Sequence, residues 1–336
     1  MSRSSLLSAR HAPPAGHLWL AGGLVLAVVL ALGTARSATA AEPAAQSRTA
    51  HATAPNQFVE AGGARFAYRR LGPATGTPLL FLQHFTGTMD GWDPLVTDGL
   101  AQGRPVILFN NRGVGLSGGE TPDTVEAMAQ DTIAFLDALG IARVDLLGFS
   151  LGGFVAQELG LRHPDRVRRV VLAGTGPRGG QDMQESRPDV IAALQSGNPD
   201  QARAYLFFSQ SPPSQAAAGR FLDRTRQRST DPDTQASPEA TQAQGKAIHA
   251  WGQVASNADW IARLREFKPA TLVVNGNDDI MIPTINTYAL SQAIPKAQLI
   301  VYPDAGHGAL FQYPELFVQH VGLFLDRDDE GLNETR

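Results

Sequence analysis

Between Val144 and Arg162 the chain passes from a short apolar run into a helical stretch through Gly148-Phe149-Ser150-Leu151-Gly152. No other segment restricts the fold as much. A strand that turns at once into a helix must bring the two close together. The residues two before and two after the turn must then lack bulk, and both are glycine. A strand leading straight into a helix is half of a parallel βαβ unit, so the segment already favours a sheet with helices packed on it.

The same alternation continues on either side. Residues 78–83, 105–109, 144–148, 167–173, 270–275 and 298–302 are short apolar runs. Helical segments are expected at 92–101, 124–139, 151–162, 283–293 and 309–325, the second with Val125, Met128, Ile133, Leu136 and Leu139 near helical spacing and Gly140 as its C-terminal stop. Residues 58–61 and 65–70 flank Gly62-Gly63, a hairpin signal. Apolar strands separated by helices are buried on both faces, which predicts an α/β fold with a mostly parallel, doubly wound sheet. The rhythm breaks at 177–268, a Gln-, Ala-, Ser- and Pro-rich stretch with helical pieces at 189–194, 199–208 and 216–226, closed by 251–267. It is too long for a loop and reads as a helical lid at about 178–265 inserted over the sheet.

The N-terminus carries a different signal. Arg3 and Arg10 precede an apolar run at 18–33, and Ala38-Thr39-Ala40 follows, the pattern of a secretory signal peptide over 1–40 cleaved near Ala40. The protein is therefore expected to be exported, periplasmic or secreted, with an uncleaved N-terminal membrane anchor as the alternative. Residues 41–56 read as a disordered linker, 57–326 as the folded domain and 327–336 as a frayed tail. The chain has no cysteine, which removes disulfides and thiolate chemistry, and its formal charge of −4 over 336 residues comes with no basic stripe suited to nucleic acid.

Ser150 sits where a strained strand-to-helix turn would hold its hydroxyl above the sheet, beside the positive end of a helix. The bare string arises by chance about 0.2 times in a chain this long at average usage, and a Ser N-cap would explain it equally well. The strand before it and the helix after it are what point to a nucleophile. A base is offered by His307 in Asp304-Ala305-Gly306-His307-Gly308, on the loop leaving the last strand. Asp278 and Asp279 follow the preceding strand, and the spacing Gly276-x-x-Asp279-x-x-x-Pro283 favours Asp279 as the acid that orients the histidine. Backbone N–H groups of Leu151 and of Phe85, in Gln83-His84-Phe85-Thr86-Gly87, are placed to stabilise an oxyanion. His84, Phe85, Thr86 and Phe149 are expected along the substrate pocket. No metal or cofactor is implied, because no His and carboxylate set stands at ligand spacing.

With Asn111-Arg112-Gly113-Val114-Gly115-Leu116-Ser117, Gly276-Asn277-Asp278-Asp279 and Gly306-His307, these motifs come in an order that resembles the α/β-hydrolase superfamily across residues 58–325. The resemblance implies an α/β-hydrolase fold and hydrolysis of a carboxylic ester, or a related acyl bond of a small molecule, through an acyl-enzyme on Ser150. The Ser at 150 disfavours the branches with an Asp nucleophile. A cofactor-free haloperoxidase or perhydrolase with the same triad is the alternative enzyme, and a non-catalytic small-molecule binding protein the alternative class. Two departures stand out. Relatives often have His-Gly where this chain has Gln83-His84, and Asp where it has Asn110, so a structural hydrogen bond at position 110 is expected to change.

Overall fold

Gly62-Gly63 turns the chain between β1 (Gln57–Ala61) and β2 (Ala64–Leu71), an antiparallel hairpin that opens the sheet. The computed structural model describes residues 50–327. Six further strands follow: β3 (Leu79–Leu82), β4 (Val106–Phe109), β5 (Val144–Phe149), β6 (Val167–Ala173), β7 (Ala270–Gly276) and β8 (Gln298–Tyr302). They form one sheet in the order β1-β2-β4-β3-β5-β6-β7-β8, parallel from β4 onwards. This is the α/β-hydrolase fold expected from the sequence.

The strand pleat sends neighbouring residues to opposite faces, and the core divides accordingly. Leu79, Phe81, Leu147 and Val171 join one buried cluster with Trp92, Phe149 and Phe311. Leu80, Leu82, Leu146 and Val170 join another with Phe135, Phe154, Trp251 and Trp260. Covering helices are α1 (Pro94–Ala101) and α11 (Pro314–Asp326), which pack together, and α2 (Val125–Ala138) and α3 (Leu151–Arg162), which do likewise. β3 and β5 are adjacent, so the chain leaves the carboxyl ends of both at neighbouring points. That is where an α/β sheet assembles its functional groups.

Five helices separate β6 from β7: α4 (Pro188–Leu194), α5 (Pro199–Phe207), α6 (Pro212–Thr225), α7 (Pro238–Trp251) and α8 (Asn257–Leu264); α9 (Thr284–Ala293) follows β7 and α10 (Ala309–Gln312) follows β8. α7 was not anticipated as a helix. Its sequence PEATQAQGKAIHAW is mostly polar or small, and only Ala240, Gln244, Ala247 and Trp251 are buried. Its start is nevertheless encoded, with Ser237 capping the Ala240 N–H and Pro238 at the first position.

The expected linker is packed over its described part, residues 50–56. His51 and Ala54 are buried, the His51 N–H donates to Asp98 Oδ1 at 2.7 Å, and Arg228 Nη1 donates to the Ala54 carbonyl at 2.8 Å. Small polar composition suggested disorder, but these residues gain partners from α1 and from the α6–α7 connection. The expected signal peptide, the linker before residue 50 and the tail after residue 327 lie outside the described residues.

Candidate active site

Ser150 stands between β5 and α3 with φ 56° and ψ −118°, a backbone conformation that non-glycine residues avoid and that costs on the order of 1–3 kcal/mol. Tight packing holds it there. The Ser150 N–H donates to the Ala173 carbonyl at 2.9 Å, and its own carbonyl accepts from the Gly153 N–H at 2.8 Å and from Thr175 Oγ1 at 3.0 Å. A Cβ at Gly152 would lie 2.1 Å from the Leu82 carbonyl oxygen, and one at Gly148 would lie 2.4 Å from the Gly152 oxygen. The two glycines therefore let α3 descend onto the ends of β3 and β5.

His307 lies on the loop after β8 and is 1% exposed. Its Nδ1 is 2.8 Å from Asp279 Oδ2. Asp279 Oδ1 accepts from the Met281 and Ile282 N–H groups, each at 2.9 Å, so both carboxylate oxygens are committed and the side chain cannot swing. The acceptor beside Nδ1 places the proton on that nitrogen and leaves Nε2 as a lone-pair acceptor. Nε2 is buried, has no hydrogen-bond partner, and belongs to a side chain that borders the same cavity as Ser150. Asp278, the neighbouring candidate, is exposed. Asp304 accepts instead from Ser209 Oγ and Ser211 Oγ, both at 2.6 Å, which ties the His307 loop to the α5–α6 connection.

Leu151 is the first residue of α3, so its N–H has no acceptor within the helix. Phe85 is on the loop after β3, and its N–H likewise finds no acceptor among the described residues. The next amide is occupied: Thr86 N donates to Gln244 Oε1 at 2.7 Å.

The cavity measures about 750 Å³ and is bordered by Ser150, His307, His84, Phe85 and Thr86, with Leu206, Phe207 and Arg203 contributed by α5. Burial pushes His84 down to about 3, so its ring is neutral. Nδ1 must then donate to the Phe85 carbonyl at 2.9 Å, which leaves Nε2 as an acceptor without a partner. Phe149 corrects the expectation that it lines the pocket. It is fully buried, and its ring packs on His84 at 5.3 Å, His307 at 5.0 Å and Phe207 at 5.5 Å between ring centres. It supports the residues that face the cavity without facing it itself, because its place in β5 turns it into the core. Gln244 and Arg203 were missed from sequence. They lie in helices joined to the site only by tertiary folding, and no local motif marks them. Among the described residues no cluster of three or more His, Cys, Asp or Glu side chains could hold a metal ion.

Comparison with known proteins places the fold in a family. A family model described as alpha/beta hydrolase fold matches residues 77–314, from just before β3 to the start of α11. The chain belongs to the alpha/beta hydrolase fold family. Within it, a solved alpha/beta hydrolase fold protein from Chitinophaga pinensis is 44% identical, with a TM-score of 0.79 over 83% of this chain and 100% of that one. A solved structure titled Est816, an N-acyl homoserine lactone degrading enzyme, is 28% identical with a TM-score of 0.59 over 79% of this alpha/beta hydrolase chain and 99% of its own. A Mycobacterium tuberculosis (strain H37Rv) protein named as a candidate non-heme bromoperoxidase, BpoC, is 28% identical over 72% of this chain and 90% of its own.

Proposed function

We propose that this protein is a serine hydrolase that cleaves a carboxylic ester or a related acyl bond through an acyl-enzyme on Ser150. The observation that carries the reading is the state of His307. Its Nδ1 is locked to Asp279, and its Nε2 is buried and unpartnered on the cavity that Ser150 borders.

The chemistry follows from these groups. Ser150 Oγ attacks the acyl carbon while its proton passes to His307 Nε2. Negative charge gathers on the former carbonyl oxygen, where the Phe85 and Leu151 N–H groups receive it. The intermediate collapses, the carbon–oxygen bond to the alcohol breaks, and the leaving alkoxide takes the proton from Nε2. Water then enters, gives its proton to Nε2 and its oxygen to the acyl carbon, and Ser150 is released with that proton. Asp279 stabilises the imidazolium in both halves. A cavity of about 750 Å³ fits a small-molecule substrate, and Leu206 and Phe207 beside Arg203 suit an acyl or alcohol portion of mixed polarity.

Fluorophosphonate labelling located by peptide mass spectrometry tests the nucleophile, and hydrolysis of p-nitrophenyl acetate and butyrate tests the reaction. Ser150→Ala should abolish both; labelling at another residue, or ester hydrolysis unchanged by Ser150→Ala, sinks the reading. The likeness to the bromoperoxidase-named relative favours a second reading with the same triad, formation of a peracid from acetate and peroxide. Peroxide-dependent bromination that requires acetate and outpaces ester hydrolysis would select it. Export is part of the proposal, and N-terminal sequencing of protein recovered outside the cytoplasm should begin near Ala41. Among the described residues no helix is long and apolar enough to cross a membrane.

A further inference from the structure

The buried face of α7 repeats at helical spacing through Ala240, Gln244, Ala247 and Trp251, and one of its four residues is an amide. Gln244 is fully buried, and its Oε1 accepts the Thr86 N–H at 2.7 Å across 158 positions of sequence. The orientation of the amide is fixed by chemistry, since an N–H donor requires the oxygen opposite it. The cost of this arrangement is plain: Gln244 Nε2 is left buried with no acceptor.

Thr86 is a demanding place for such a contact. It holds φ 57°, which a β-branched residue strongly avoids, so its conformation must be imposed by neighbours. The peptide joining Phe85 to Thr86 is gripped on both edges. On the carbonyl edge, Phe85 O accepts from His84 Nδ1 at 2.9 Å and from Thr86 Oγ1 at 2.7 Å. On the amide edge, Gln244 is the acceptor. Only the φ and ψ of Phe85 separate this peptide from the preceding one, which carries the Phe85 N–H that has no acceptor among the described residues, so holding it restricts where that N–H can lie on the cavity that Ser150 borders. Without Gln244, the amide edge loses its anchor and the loop is held from the carbonyl side alone.

We propose that Gln244 is a positioning residue for the oxyanion site, through which the helices inserted between β6 and β7 set the alignment of the Phe85 N–H. The proposal rests on Ser150 being the nucleophile. Its sharpest consequence is a separation of activity from stability. At this contact the native protein carries one orphan donor, Gln244 Nε2. Gln244→Met, of similar length and shape, removes that orphan and creates another at the Thr86 N–H. Stability should therefore change little while transition-state binding suffers.

The test compares native protein, Gln244→Met, Gln244→Asn and Ser150→Ala, with an alkyl trifluoromethyl ketone as probe. Ser150 Oγ adds to the ketone carbon, its proton goes to His307 Nε2, and the resulting oxyanion needs the Phe85 N–H. Gln244→Asn keeps a buried amide but falls one methylene short of Thr86, so it decides the matter if the Met variant does not fold. The expected result is a loss on the order of 10- to 100-fold in kcat and in ketone affinity alike, with KM within about twofold and the thermal midpoint nearly unchanged. A folded variant that keeps kcat and ketone affinity within about twofold of native overturns the role of Gln244. A parallel loss of thermal midpoint with kcat and ketone affinity falling only at temperatures near it overturns the role as well, leaving Gln244 as packing. Ketone binding that survives in Ser150→Ala instead overturns the nucleophile reading, and this proposal with it.

Discussion

Asn110 Nδ2 donates to Asp233 Oδ1 at 2.6 Å, joining the end of β4 to the connection between α6 and α7. Asn110 Oδ1 meanwhile accepts the Met89 N–H at 2.8 Å, the bond an aspartate there could equally make. Position 110 thus forms structural hydrogen bonds as asparagine, with a carboxylate reaching it from elsewhere in the chain. Asp233 also accepts from the Leu116 N–H at 3.2 Å and pairs with buried Arg69 at 3.7 Å. Burial, with Asp90 close by, holds its carboxyl above the usual range.

Asn110→Asp would press a second carboxylate onto Asp233 in a buried site. The expected cost at pH 7 is about 2–4 kcal/mol, less near pH 4, where one carboxyl takes up a proton and can donate to the other. Asp233→Asn in the same chain should recover most of it. Urea unfolding of the two single variants and the double variant measures the coupling; a single variant within about 0.5 kcal/mol of native would show that the contact does not constrain position 110.

Two histidines held neutral, His51 in the interior and half-buried His84 beside the cavity, give stability an acid limb. Burial lowers His51 from 6.5 to about 4 and His84 from 6.5 to about 3. The unfolded chain binds their protons first, so their contribution is complete above about pH 6.5 and is lost as pH falls toward the folded values. Each should add a slope of about 1.4 kcal/mol per pH unit across that window. Asp98 and Asp233, both shifted upward by burial, act in the opposite sense, and His163, lowered by burial, adds in the same sense, so the difference between native protein and His51→Gln is what isolates His51. His51→Gln should reduce the slope across that window by one proton. Urea midpoints between pH 5 and 7.5 that do not fall with acid would contradict the neutral burial of both rings.

The parts of this fold legible in the sequence were those set by local rules. Strand runs follow from apolar residues covered on both faces, and the elbow at Ser150 from glycines whose Cβ atoms would strike the backbone. His307 and Asp279 could be placed because loops after parallel strands gather at one end of the sheet. Spacing to Pro283 favoured Asp279 over Asp278, but the reason was not legible: the Met281 and Ile282 amides hold the Asp279 carboxylate inward. The helix carrying Gln244 was not legible, because a buried face made of two alanines, a glutamine and a tryptophan lacks an apolar stripe. Phe149 shows the opposite error: nearness in sequence to Ser150 suggested substrate contact, but the strand pleat turns its ring into the core.

Asp279 and its exposed neighbour allow a controlled comparison. Asp279→Asn would offer an amide donor to His307 Nδ1 and so favour the tautomer with its proton on Nε2, which cannot accept from Ser150. A loss of about 10³- to 10⁴-fold in kcat is expected, with KM little changed. Asp278→Asn should stay within about twofold of native, because that side chain faces solvent. Steady-state hydrolysis of one p-nitrophenyl ester by both variants is sufficient, and equal losses would remove Asp279 from its assigned role.

Ser150 provides the last expectation, because its hydroxyl and its backbone make separable demands. At φ 56° an alanine bears the same strain as the serine, whereas a glycine adopts the conformation freely. Both substitutions delete the nucleophile and should bring ester hydrolysis to the background rate. Their stabilities should differ. Ser150→Gly escapes strain of about 1–3 kcal/mol and gives back about 0.5–1 kcal/mol through the greater freedom of its unfolded chain. It should therefore exceed Ser150→Ala by about 1 kcal/mol, a shift of roughly 2 °C in thermal midpoint for a domain of this size. If the glycine variant were the less stable of the two, the elbow would hold no strain, and the position would be kept as serine for reactivity without a stability penalty.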